Sequence, residues 1–218
     1  MPSKPLFSPQ EGAQIKDAVE KAEGRTSGEI VPVIVASSSE YGETDWKALF
    51  FGLLIGLVSY EVYAFYTPGW DVGNEFTLAV LPTFLLVGAL LFFMAAKKWP
   101  FFRRLLIANQ SLDESVHTGA KQAFLDNEVF LTKDRTGVVL YVSLFEHRLE
   151  VLGDKGINAK VTAEDWTEIV GVVVQGIREG KLVDGLIAGI EGCGELLEKL
   201  GLERQSDDTN ELSNEAQF

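Results

Sequence analysis

The side chains able to do chemistry in this chain are carboxylates. Thirty-two Asp and Glu stand against 19 Lys and Arg, two His and one Cys. Asp126, Glu128 and Asp134 flank the loop before an expected strand at 138–144, Asp154 sits in the turn after the next strand, and Glu29 opens the first strand. Strand-end loops of an α/β sheet can converge at one rim, where ligands usually bind. Hard oxygen donors of this kind suit Ca²⁺ or Mg²⁺. A metal held by Asp126, Asp134, Asp154 and Glu29 would position a phosphate ester and a water, giving a phosphatase without a covalent nucleophile. The competing reading is that Asp in turns caps backbone amides. Other chemistries lack their motifs: there is no P-loop, GxGxxG, HExxH or GxSxG. Cys193, between Gly192 and Gly194, reads as small-residue packing. His117 and His147 supply all the imidazole, and His147, between Glu146 and Arg148, reads as a solvated turn residue.

These acids must be positioned by elements arranged around two apolar runs. Residues 76–96, FTLAVLPTFLLVGALLFFMAA, carry no charge. At roughly 1.5 Å per residue such a helix crosses a hydrocarbon layer of about 30 Å. Residues 48–66 form a second run, interrupted only by Glu61. Together they predict a transmembrane hairpin. Gly52, Gly56 and Ser59 give the first span a small-residue face; its partner is either Gly88-Ala89 in the same hairpin or a helix of another protein. Glu61 is an intramembrane carboxylate and so a functional suspect, but it lies toward the outer end of its helix, beside Tyr60 and Tyr63, where water is within reach. The turn at about 67–75 holds Asp71 and Glu75 and no Lys or Arg, whereas Lys97, Lys98, Arg103 and Arg104 follow the second span and Lys21, Arg25 and Lys47 precede the first. The positive-inside rule then places both termini and the soluble segments in the cytoplasm, in a multi-pass protein of the inner (cytoplasmic) membrane. Trp46, Trp99, Phe101 and Phe102 would mark the inner interface, and Tyr63, Tyr66 and Trp70 the outer one.

On the soluble side, Ser8-Pro9 with Glu11 predicts a capped helix over 9–22, buried through Ile15, Ala18, Val19 and Ala22. EIVPVIVA (29–36) reads as a strand buried on both faces, with Pro32 marking an edge or a bulge. Ser111 with Glu114 suggests a second capping box, opening a helix to about 126. VVLYVSL (138–144) and RLEVL (148–152) read as a hairpin about Phe145-Glu146-His147, and Gly153–Gly156 as a tight turn. Helices are expected over 162–179, capped by Thr162 and stopped by Gly180, and over 183–200. Neither half has enough elements to bury its own face. The expected layout is one α/β domain in two parts, 1–45 and 101–202, around a hairpin at 46–100, with a disordered acidic tail at 203–218. The net charge of −13 argues against nucleic-acid binding, which needs a basic face. The N-terminal MPSKPLFSPQEGAQ has no apolar core, so no cleaved signal peptide is expected.

Several strings resemble the TPM domain family: SGEIVPVI (27–34), RTGVVLYVSL (135–144), RLEVLGDKGI (148–157), and the helical stretch from Trp166 through Gly180-Lys181-Leu182 to Ile190. The resemblance implies a small α/β/α sandwich, here interrupted by the transmembrane hairpin. It implies a choice of activities, since some relatives are described as acid phosphatases or calcium binders and others act in assembly or repair of membrane complexes. It also implies a possible LemA-like membrane partner. Two functions are therefore expected. The first is an accessory subunit or assembly factor of a membrane protein complex. The second is a divalent-metal-dependent phosphatase at the membrane surface.

Overall fold

The computed structural model describes residues 7–67, 75–162, 164–202 and residue 212. Residues 1–6, most of the turn expected between the two spans and, apart from Leu212, the tail expected at 203–218 therefore lie outside the described residues. The chain divides into two compact units, one made of residues 1–39 and 112–218, the other of 40–111.

The first unit contains helix α1 (Pro9–Glu23), strand β1 (Glu29–Val35), strands β2 (Gly137–Ser143) and β3 (Arg148–Gly153), the short helix α6 (Lys155–Asn158), and helices α7 (Thr167–Glu179) and α8 (Leu182–Lys199). It also takes in helix α5 (Asn109–Asp126) from Leu112 onward. β2 is central, parallel to β1 and antiparallel to β3, with Pro32 opposite Leu140 and Tyr141 opposite Glu150. Strand side chains alternate between faces. Ile30, Ile34, Leu140 and Val142 pack with α1, α7 and α8, while Val31, Val33, Val139 and Tyr141 pack with Val116, Ala120 and Ala123 of α5. The expected α/β/α sandwich is thus built on a three-stranded mixed sheet. Cys193 is buried on the α8 side of this core, and burial pushes its thiol pKa up.

Local signals set most helix ends. Ser8 accepts from Glu11 N and the Glu11 carboxylate accepts from Ser8 N, the expected capping box. Gly180 ends α7 at φ 72°, a left-handed conformation that glycine adopts without penalty. Three expectations need correction. α5 is already helical at Asn109, so Ser111 lies inside the helix and does not cap it. Thr162 bonds Asp165 in a turn, and α7 starts only at Thr167. Asp154, expected in a plain turn, caps α6 by accepting from Lys155 N at 2.7 Å.

The second unit holds α2 (Glu43–Tyr66), α3 (Glu75–Lys98) and the short α4 (Pro100–Leu105). α2 and the Ala79–Lys98 part of α3 are long and apolar enough to cross a membrane, with mean hydropathies of 1.8 and 2.3.

Candidate functional site

Three places among the described residues gather side chains that could bind or react. The first holds the expected metal ligands. Glu29, at the start of β1, stands opposite Gly137 and is nearly buried. Asp154, at the end of β3, donates its N–H to Gly137 O at 2.8 Å and is 6% exposed. The turn before β2 closes this end of the sheet: Thr136 N–H donates to Thr132 Oγ1, Thr136 Oγ1 donates to Ser27 O, and Gly156 N–H donates to Arg135 O. Arg135, held at φ 58°, points its guanidinium at Asp154, with Nε 2.5 Å and Nη2 3.0 Å from the carboxylate oxygens. That hydrogen bond raises the Arg135 pKa.

The four acids expected to hold a metal do not come together as a cage. Asp154 is engaged by Arg135 and by Lys155 N. Asp126 is exposed on α5 and accepts from Gln122 Nε2 at 2.7 Å. Asp134 is exposed, and Glu128 precedes a 3₁₀ turn at φ 52°. Among the described residues no three Asp, Glu, His or Cys side chains gather as a metal site. A guanidinium already neutralises the most buried of these acids, and its fork matches a carboxylate.

The second place lies at the opposite end of the β1–β2 pair, and sequence reasoning missed it. Glu146, read as a turn residue, is fully buried. Its Oε1 accepts from Ser38 N at 2.9 Å and Ser37 Oγ at 3.2 Å, and its Oε2 accepts from Ser143 Oγ. Ser38 Oγ donates to Ser143 Oγ at 2.9 Å, and Tyr141 OH donates to Ser38 Oγ at 3.3 Å. Burial raises the Tyr141 pKa. Each hydroxyl donates toward the carboxylate, so Glu146 fastens the β2–β3 turn to the segment after β1. The only sequence signal was an acid in a hairpin turn together with a serine run, which local rules assign to solvent.

The third place is the α2–α3 seam. Thr44, Ala48, Gly52 and Gly56, each four residues from the last, form the buried stripe of α2. A Cβ on Gly52 would lie 2.6 Å from Ala89 Cα, and one on Gly88 would lie 2.8 Å from Gly56 Cα. The backbones therefore touch where the small residues meet. Ser59 is exposed and donates to Ile55 O at 2.7 Å, within its own helix. Glu61 is exposed on α2, away from this seam. An apolar groove of about 500 Å³ runs beside Gly56 and Gly88, lined also by Ile55, Val87, Leu91 and Phe92. At the other end of the helices Lys97 Nζ pairs with Asp45 at 2.8 Å, and Lys47 Nζ donates to Leu106 O at 3.2 Å.

Residues 105–196 match the TPM domain. The matched stretch contains β2, β3, α7 and most of α8; α1 and β1, the latter completing the sheet, precede it. The NMR structure of BA42 protein from the psychrophilic bacteria Bizionia argentinensis shares the fold, with a TM-score of 0.59 at 21% identity. That alignment covers 99% of this chain and 97% of the other. No curated protein sequence matches this chain.

Proposed function

We propose that this chain is a membrane-held binding protein, in which the α2–α3 hairpin anchors a TPM-type α/β unit to serve as an accessory subunit or assembly factor of a membrane complex. The observation that carries the reading is the inverted burial of α2. Its small residues, Thr44, Ala48, Gly52 and Gly56, face inward, while Leu53, Leu54, Ile55 and Leu57 face outward at 39–48% exposure. Water would penalise that arrangement and lipid would not. Lys97 and Lys98 in the last turn of α3 and Arg103 and Arg104 in α4, against a sequence between Thr67 and Glu75 with no Lys or Arg, favour an orientation with both termini in the cytoplasm. Trp46, Trp99 and Phe101, 50–72% exposed, fit the inner interface. A LemA-like membrane protein is the partner class suggested by the family resemblance. The metal-dependent phosphatase reading has less support, because its expected ligands are dispersed and Asp154 is held by Arg135.

Purification of the tagged chain at native expression in mild detergent tests this reading. A stoichiometric membrane complex is expected, weakened by Gly52→Leu, whose side chain has no room at the seam. A chain that elutes alone, with Gly52→Leu behaving as wild type, would contradict it.

A further inference from the structure

The two faces of the sheet are covered unequally. On one side Ile30, Ile34, Val138, Leu140 and Val142 are closed over by α1, α7 and α8, and none is more than 1% exposed. On the other side, among the described residues, the buried positions that meet the sheet are Val116, Ala120 and Ala123 of α5 and Val129 of the 3₁₀ turn Val129–Leu131. These side chains are small, and Val35, Phe124 and Leu152 on this side stay half-buried. One helix and one turn thus leave part of an apolar face open, which water penalises.

Leu212 fills part of that opening. It is half-buried and packs against this same cluster. Leu202, by contrast, is 7% exposed in the core on the opposite side. Thr26 Oγ1 donates to Leu202 O at 2.5 Å, and Ser27 N–H donates to the same oxygen at 2.9 Å, which ties Leu202 to the entry of β1. The α5 face begins at that end of the sheet: a Cβ on Gly137, the partner of Glu29, would meet Val129 Cγ1 at 2.5 Å, and Leu152 stands opposite Val139. The nine residues between Leu202 and Leu212, ERQSDDTNE, carry no apolar side chain. Extended chain from residue 202 to residue 212 reaches about 33 Å, and packed layers lie about 10 Å apart, so this polar connection is long enough to round the end of the sheet.

We propose that the C-terminal stretch is a docking segment for its own chain: Leu212 seats it on the α5 face of the sheet, where it closes apolar surface that α5 and the 3₁₀ turn leave open. The half-burial of Leu212, the tie at Leu202 and the length of the polar connection single out this occupant. The inference goes beyond the binding-protein reading and stands whether or not that reading holds. A single half-buried leucine favours the docked form by roughly tenfold, so the segment is held and yet releasable. While it is seated, this part of the face is closed to other chains.

The test is cleavage of the full chain, tagged at its N-terminus and held in mild detergent, by a glutamate-specific protease. Cutting between Glu211 and Leu212 requires Leu212 to leave the face, so the rate follows the undocked fraction when opening is fast. The bond is expected to be cut roughly tenfold more slowly in the chain than in a free peptide of residues 203–218. Leu212→Ser, compared with a peptide of its own sequence, is expected to bring the two rates within about twofold. Phe124→Ser leaves the tail unaltered, removes a half-buried ring from the face, and is expected to speed the cut while keeping the far-UV circular dichroism. Equal rates for the wild-type chain and the peptide would overturn the docking, and so would protection that Leu212→Ser leaves intact. A folded Phe124→Ser chain that stays fully protected would overturn the assigned face. Protection that falls on dilution of the chain would place the tail on a second copy and overturn docking within one chain.

Discussion

The two units of this chain bury opposite kinds of side chain. In the α/β unit Ile30, Ile34, Leu140, Leu186 and Ile190 are at most 1% exposed, and the charged groups lie outside or are paired. In the hairpin unit the buried positions of α2 are Thr44, Ala48, Gly52 and Gly56, and the large apolar side chains point away. The hydrophobic effect organises the first arrangement. Close backbone approach through small residues organises the second, which is how helices associate where the surroundings are as apolar as leucine. One chain thus follows two packing rules, and the second is the one expected of helices in lipid under the membrane-held reading.

The largest expected effects separate these rules. Leu140→Ala should destabilise the α/β unit by about 3 kcal/mol in denaturant titration, because it leaves a cavity in a filled core. The same truncation at Leu54, which is 42% exposed, should change the unfolding of the detergent-solubilised chain by less than about 0.5 kcal/mol. Equal losses at the two sites would mean that Leu54 of α2, like Leu140 of β2, belongs to an ordinary core. Leu54→Arg sharpens the contrast. Near the middle of a lipid-exposed span it should disfavour membrane insertion by about 3 kcal/mol, read by glycosylation mapping of the inserted fraction. On a water-exposed helix the same change would be nearly neutral.

Smaller effects belong to polar groups of the α/β unit. Asp154→Asn keeps the shape and the α6 cap but weakens the Arg135 pair, and should lower stability by about 1 kcal/mol or less in thermal melts. Arg135 is half exposed, which keeps this figure modest. The smallest effect is a pH dependence. Ser8 N–H holds the Glu11 pKa below its ordinary value in the folded state. The cap therefore contributes stability above the ordinary Glu range, and that stability is lost as pH falls through the lowered value. Glu11→Gln should flatten this part of the stability–pH curve, leaving the remainder unchanged.

What could be read from the sequence was what is local. Ser8, Pro9 and Glu11 lie within four positions, so the α1 cap and its buried face were legible from propensity and spacing alone. The α/β/α layering was implied by the resemblance of strings such as RTGVVLYVSL, and the two apolar helices followed from their length. Of the two readings of Pro32, an edge or a bulge, the sheet order gives the edge, where no neighbour needs its missing N–H. What escaped depended on distant partners. Glu146 is buried because Ser37 and Ser38, 109 and 108 positions away, supply its donors, and no local rule brings them together. The carboxylates at the other end of the sheet were counted one at a time as ligands. One of them, Asp154, is taken by Arg135, a residue 19 positions upstream in the sequence. Ser111 and Glu114 have the spacing of a cap, yet α5 is already helical at Asn109, upstream of them.

The most direct measurement is alkaline extraction of membranes from cells that express the full chain at native level, followed by immunodetection. If α2 and α3 are solvated by lipid, the chain stays in the membrane pellet at high pH, and Leu54→Arg shifts a large share of it to the soluble fraction. A wild-type chain released into the supernatant would contradict the membrane-held reading, and would require the outward leucines of α2 to be covered by protein.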